Sequence, residues 1–397
     1  MGRLDGILCI DEQTLENQRV LLRLDLDFDP QRERARLLAC RSSIDHALRA
    51  GARVVLAGHR GSPGGQVNEA LSLEPVGAAL SELLGTDVYL PDDCVGDAAR
   101  KVVQDLRPGQ VCLLENLDFY AEEAQNDEGF AQKLASFADV YVNDSLRDSS
   151  RKRASLDQLA RSVRKRCMGL RLKSEVSSIS RVSDAAERPL GLVVGGANTA
   201  AAFDLNPYPA RQGQRRGHRW HARQHALGRA WFETAKVRGR PGSARARPRP
   251  LRHRTRSRCG APRPHQSRRG RNPRAKDGLV ASPTSIGDGL MALDVGPKTL
   301  AAYAERLATA KAVLWVGPLG ASQNPAFAGG TLGLAQRLSE APAFSVVVGD
   351  DAAEAISHAD ASVLCKFGLV STAGRAGLEL IEGRKLPGIE ALRGGAT

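Results

Sequence analysis

"SSIDHALRAGARVVLAGH", residues 42–59, contains one complete passage from helix to strand. Ile44, Ala47 and Leu48 recur at helical spacing, and Gly51 suits a left-handed C-terminal cap. The run that follows, "ARVVLAGH" (52–59), is mostly apolar, as a strand covered on both faces must be. Upstream, "RVLLRL" (19–24) is a second apolar run, and it ends in Asp25.

The alternation continues along the chain. "LSLEPVGAALSELLG" (71–85, with Ser72 as N-cap), "GDAARKVVQDL" (96–106) and "NDEGFAQKLASFA" (126–138) have helical periodicity, while "TDVYL" (86–90), "QVCLLEN" (110–116) and "DVYVND" (139–144) read as strands. Residues 166–185, "RCMGLRLKSEVSSISRVSDA", read as one long helix. The rhythm returns after residue 280 with "GPKTLAAYAERLATA", "KAVLWVG", "TLGLAQRLSEA", "AFSVVVGD", "DAAEAISHA" and "TAGRAGLELIEG". The expected fold class is therefore α/β, with two doubly wound, Rossmann-like parallel-sheet domains. The expected divisions are 1–165, a hinge helix 166–187, a second domain 188–380 and a tail 381–397 returning toward the first.

Between the halves the composition changes. Residues 211–280 hold 20 Arg and 2 Lys against two acids, Glu233 and Asp277, so the chain's formal charge of +13 hides a mildly acidic body of −7. This stretch has no helical or strand periodicity and is expected to be poorly packed or disordered. A basic arm of this kind can attract nucleic acid, but only Tyr208, Trp220, Trp231 and Phe232 are near for stacking, so such binding is expected to be adventitious. The seven cysteines have no metal-knuckle spacing and an odd count, which reads as reduced thiols rather than a disulfide framework. No run approaches the ~18 apolar residues of a membrane span, and "MGRLDGILCIDEQTLENQ" is not patterned as a signal peptide; a cytoplasmic location is expected.

In parallel sheets ligands gather beyond the carboxyl ends of the strands. Those positions hold Asp25, Asp27, His59, Gly61, Ser62, Glu115, Asn116, Asp118, Asn143, Asp144 and Arg151, with Arg36 before the first helix. In the second half they hold "VVGGAN" (193–198), "WVGPLG" (315–320), "VVGDDA" (347–352) and "STAGRAG" (371–377). Bare glycine backbone there can approach a phosphate and direct amides at it. The acids of 115–123 read as a solvated loop, Asp118 excepted.

Taken together these segments resemble the phosphoglycerate kinase family over about residues 17–198 and 282–392. The family's "RVDFNVP" corresponds to "RLDLDFD" (23–29), "SHLGRP" to "GHRGSP" (58–63), "LLENLRF" to "LLENLDF" (113–119), and "DVYVNDAFGTAHRAHAS" to "DVYVNDSLRDSSRKRAS" (139–155). Further on, "GGAK" corresponds to "GGAN" (195–198), "LDIGPKT" to "LDVGPKT" (293–299), "WNGPMG" to "WVGPLG", "GGGDS" to "VVGDD" (347–351), and "STGGGASLELLEGKxLPG" to "STAGRAGLELIEGRKLPG" (371–388).

The resemblance implies a monomeric kinase exchanging a phosphoryl group between ATP/ADP with Mg²⁺ and 3-phosphoglycerate/1,3-bisphosphoglycerate, with a hinge closing the cleft. It implies that Asp25, His59, Gly61 and Arg151 hold the acceptor and that Arg36 stabilises the transferring group. Gly195, Gly196, Gly317, Gly349 and Asp350 would face the nucleotide, Asp350 also serving the metal. Departures from the family pattern are Asp118 and Ser62 for arginines, Asp27 for asparagine, Asn198 and Ala202 for lysines, Gln323 for glutamate, and Val347 and Arg375 for glycines. At ~4 Å and an effective dielectric near 20 one charge pair is worth about 4 kcal/mol, so Asp118 would swing roughly twice that against a phosphate. These changes make a catalytically impaired pseudoenzyme the alternative expectation, and the abrupt loss of pattern over 199–280 suggests a shifted reading frame.

Overall fold

β1 (Arg19–Arg23) lies between β2 (Arg53–Ala57) and β5 (Val140–Asn143), parallel to both, so the passage quoted first sits at the centre of a sheet. This computed structural model describes residues 3–183, 188–196, 231–234, 266–270, 273–276, 278–281 and 290–396. With β3 (Val88–Tyr89), β4 (Val111–Leu113) and β6 (Lys165–Met168) the order is β3-β4-β2-β1-β5-β6, all parallel. Val20, Leu21, Leu22, Val54, Val55 and Leu56 are wholly buried, because helices cover both faces. Each such side chain contributes about 1.5–3 kcal/mol.

Residues 165–168 correct the expectation of one long helix from 166. Cys167 and Met168 are buried as the sheet's edge strand, paired with β5, and the helix itself runs Leu170–Ser183 after Gly169. The described chain forms two compact units, Met1–Ile179 with Thr372–Thr397, and Ser180–Ser371. In the first, Asn143 Nδ2 donates to the Gly388 carbonyl at 3.0 Å and Gln13 Nε2 to that of Ala396 at 3.1 Å, which ties the returning C-terminal segment to the sheet.

The second unit has a parallel sheet in the order β14-β13-β12-β7-β8, built from β7 (Leu190–Val194), β8 (Trp231–Thr234), β12 (Ala312–Val316), β13 (Phe344–Val348) and β14 (Leu369–Ser371). Val193, Val313, Trp315 and Val347 form its core with Leu334 and Ile356. A second, antiparallel sheet has the order β10-β9-β11, with β9 (Ser267–Gly270), β10 (Leu279–Ala281) and β11 (Met291–Val295).

Most of 199–280 lies outside the described residues, but its last part does not conform to a poorly packed interruption. Ser267 and Arg269 are buried in β9, and Arg269 Nε donates to Ser267 Oγ at 3.2 Å. Pairing on both sides satisfies the β9 backbone, which is what lets so polar a segment lie inside. Among the described residues no helix is long and apolar enough to cross a membrane. Five of the described cysteines are buried, Cys365 is exposed, and Cys259 lies outside the described residues.

Candidate active site

In the first unit the strand ends carry a buried network of charges. Arg23, the last residue of β1, is wholly buried; its Nε donates to Ser155 Oγ at 2.9 Å and its Nη1 stands 3.1 Å from Asp148 Oδ2. Nη2 lies 3.2 Å from Nδ1 of His59, which is 3.6 Å from Asp148. Burial, with Arg23 and Arg153 nearby, lowers the His59 pKa and favours a neutral ring whose Nδ1 accepts from Arg23. Burial pushes the Asp148 carboxyl up, but His59 when protonated, Arg23 and Arg153 more than reverse this, and Asp148 stays below the usual carboxylate range.

Asp25 accepts from Arg36 Nη2 at 2.6 Å; Arg36 Nη1 also donates to Glu33 at 3.2 Å, and the guanidinium lies 5.5 Å from the centre of the Phe28 ring. Burial raises Asp25 to about 6, with Arg36 pulling the other way. Both residues line a cavity of about 20 Å³ together with Cys40, Asp144 and Arg171, room for roughly one water. Gly61, at φ +67°, donates its N–H to Asp27 Oδ1 at 2.7 Å, so Asp27 caps the loop after β2. Arg151 and Ser62 are exposed.

The acids of 115–123 correct the expectation of a solvated loop. Glu115 is buried and accepts from Ser72 Oγ at 2.7 Å and the Leu73 N–H at 2.8 Å; Asn116 is wholly buried and binds the Arg60 and Leu71 carbonyls. Glu123 is wholly buried against the Ser155 N–H and hydroxyl, at 2.9 and 2.6 Å. Only Glu122 among these acids is exposed. Asp118 is buried and ion-paired with Arg153, itself buried. The charge of Asp118 is therefore met inside the protein and is not left bare toward a ligand.

In the second unit the strand ends are nearly pure backbone. A Cβ on Gly195 would stand 2.1 Å from the Pro318 carbonyl oxygen, and one on Gly317 2.5 Å from that of Gly195, so only glycine lets the loops after β7 and β12 approach so closely. Gly196, Gly317 and Gly349 have φ of +88°, +71° and +128°. Gly349 precedes the helix Asp350–Ser357, whose half-buried first residue is Asp350. Magnesium is ordinarily held by one or two carboxylates and the substrate's phosphates. Asp350 is the carboxylate at the start of that helix, and among the described residues no cluster of three His, Cys, Asp or Glu forms a separate cage. Val347 is not in a loop but inside β13, wholly buried opposite Trp315; Arg375 is exposed and bonds Glu379 at 3.0 Å. Asn198 and Ala202 lie outside the described residues.

Asp294 went unnoticed in the sequence. It accepts from the Val295 and Gly330 N–H groups, both at 2.8 Å, and a Cβ on Gly320 would meet its Oδ1 at 2.4 Å. It thus braces the "WVGPLG" loop from below. Burial raises its pKa to about 6, against those two amides. Arg153 and Asp148 were also missed; the sequence around them, "SLRDSSRKRAS" (145–155), is rich in arginine and serine and has little apolar signal, and only the fold brings them to Asp118 and Arg23.

Comparison with known proteins identifies the family. The family model described as phosphoglycerate kinase matches residues 10–205 and 258–384. The chain belongs to the phosphoglycerate kinase family. A phosphoglycerate kinase of Anaeromyxobacter sp. (strain Fw109-5) is 39% identical over 406 residues, covering 97% of this chain and 99% of the relative. That of Moorella thermoacetica is 34% identical, covering 97% and 98%. Among solved structures, phosphoglycerate kinase from Coxiella burnetii superposes with a TM-score of 0.69 at 25% identity, covering 97% of this chain and 98% of that one. The fold is shared with phosphoglycerate kinase from Pyrococcus horikoshii OT3, TM-score 0.78, covering 98% and 99%. The family match resumes at residue 258, so part of the arginine-rich segment belongs to the family's own pattern.

Proposed function

We propose that the chain transfers a phosphoryl group between ATP and the carboxylate of 3-phosphoglycerate, with the acceptor on the first unit and the magnesium nucleotide on the second. The convergence of Gly195, Gly196, Gly317 and Gly349 at one edge of the second sheet carries this reading. Such a transfer needs alignment and charge stabilisation far more than covalent chemistry. The acceptor's carboxylate oxygen attacks the γ-phosphorus, the bond to the β-phosphate oxygen breaks, and ADP leaves.

Arg36 is the guanidinium suited to the charge that builds on the transferring group, and it must exchange Asp25 and Glu33 for that group. Asp25, His59, the Gly61 loop and Arg151 are read as acceptor contacts. Magnesium, beside Asp350, would neutralise phosphate charge. In this reading the chain acts in the cytoplasm as a monomer.

A weakened form of the same activity is favoured by one observation: Arg23 and Arg153, buried beside this site, are committed to Asp148 and Asp118. Acceptor affinity is therefore low rather than absent. Purified full-length chain with MgATP and millimolar 3-phosphoglycerate should form ADP in a saturable, acceptor-dependent manner; ADP formation indifferent to 3-phosphoglycerate would defeat the reading.

A further inference from the structure

A cavity of about 690 Å³ in the second unit is lined by Gly196, Gly320, Ser322, Gln323, Asp351 and Arg274, a volume ordinary for a small-molecule site. Arg274 and Asp351 are the charged residues of its lining. Arg274 comes from the arginine-rich segment, from the turn between β9 and β10.

That turn is held firmly. Asn324 Nδ2 donates to the carbonyls of both Pro273 and Ala275, at 2.9 Å each, which fixes the backbone on either side of Arg274. Arg268 Nη1 bonds the Ala326 carbonyl at 3.1 Å, and a Cβ on Gly270 would be 2.8 Å from the Phe327 ring and 3.2 Å from the Ala275 methyl, so the hairpin is packed on the 324–327 loop. Arg274 is thus an exposed residue on a backbone clamped at both sides, at a cavity that the bare backbone of Gly196 and Gly320 also lines.

We propose that Arg274 receives the phosphates of the nucleotide. The inference rests on the phosphotransfer reading above and adds to it one phosphate-binding residue. A guanidinium offers a planar fork of donors that fits phosphate oxygens. Asp351 on the same cavity opposes a free polyanion but not one carrying its own cation, so the ligand class is a magnesium-complexed nucleoside di- or triphosphate. The positions that hold lysines in the family are Asn198 and Ala202 here, and Arg274 supplies a positive charge from another part of the chain.

Calorimetry on the full chain with MgADP and, separately, adenosine tests this against Arg274→Ala and Arg274→Lys. The Ala variant should raise the Kd of MgADP about tenfold and the Lys variant less, while adenosine binds all three alike. Unchanged MgADP binding in Arg274→Ala overturns the proposal and leaves the nucleotide reading intact. Equal weakening of MgADP and adenosine also overturns it, because the residue would then shape the cavity rather than meet phosphate. If the unaltered chain binds neither ligand, the nucleotide reading fails and the proposal with it.

Discussion

The Arg23 guanidinium stands 3.1 Å from the Asp148 carboxylate, and both side chains are buried. Removing one partner of such a pair leaves an uncompensated interior charge, so Asp148→Asn should cost about 3–5 kcal/mol of stability. Because the folded carboxyl lies below its unfolded value, the contribution is complete above pH ~4 and is lost as the pH falls further. Urea midpoints of wild type and variant should differ at pH 7 and converge in acid.

Asp118 and Arg153 form the second interior pair, so Asp118→Arg alone should place two guanidinium groups together and destabilise the chain by a similar ~3–5 kcal/mol. Adding Arg153→His, which restores the residue of the family segment, should recover most of that loss. Thermal melts of the single and double variants measure the recovery, and an additive second loss would show that the pair is not coupled.

Gly317 has φ +71° and its Cβ position lies 2.5 Å from the Gly195 carbonyl oxygen. Gly317→Ala should cost at least ~1–2 kcal/mol in backbone strain and abolish detectable MgADP binding. Wild-type affinity in this variant would mean that the two loops do not form the nucleotide contact.

Burial raises the Asp144 carboxyl to about 7, although the Ser43 hydroxyl and the Leu172 N–H favour its ionised form. A folded value above the unfolded one gives stability that is full below pH ~4 and is lost as the pH rises through about 7. Asp144→Asn cannot ionise, so its stability relative to wild type should improve between pH 4 and 7, by at most about 4 kcal/mol. Denaturant midpoints across this range read the effect directly.

Most strands of both parallel sheets were legible because covered strands such as Arg53–Ala57 and Ala312–Val316 are almost wholly apolar. Lys165–Met168 was not, since two basic residues and a following helical pattern masked a four-residue edge strand. β9 reads "SRRG" and has no apolar signal; its burial comes from pairing with strands on both sides. The charge network was hidden for a different reason. Asp118 and Arg153 are 35 residues apart, and one-dimensional patterning carries no information on which buried charge meets which.

In the proposed function the Asp118–Arg153 ion pair stands where a free cation would meet the acceptor, which lowers acceptor affinity while the groups that serve transfer are retained. Steady-state kinetics with varied 3-phosphoglycerate, comparing the wild type with the Asp118→Arg/Arg153→His double variant, tests this most directly. The KM for 3-phosphoglycerate should be about tenfold lower in the double variant, with kcat little changed. A stably folded double variant with an unaltered KM would contradict it.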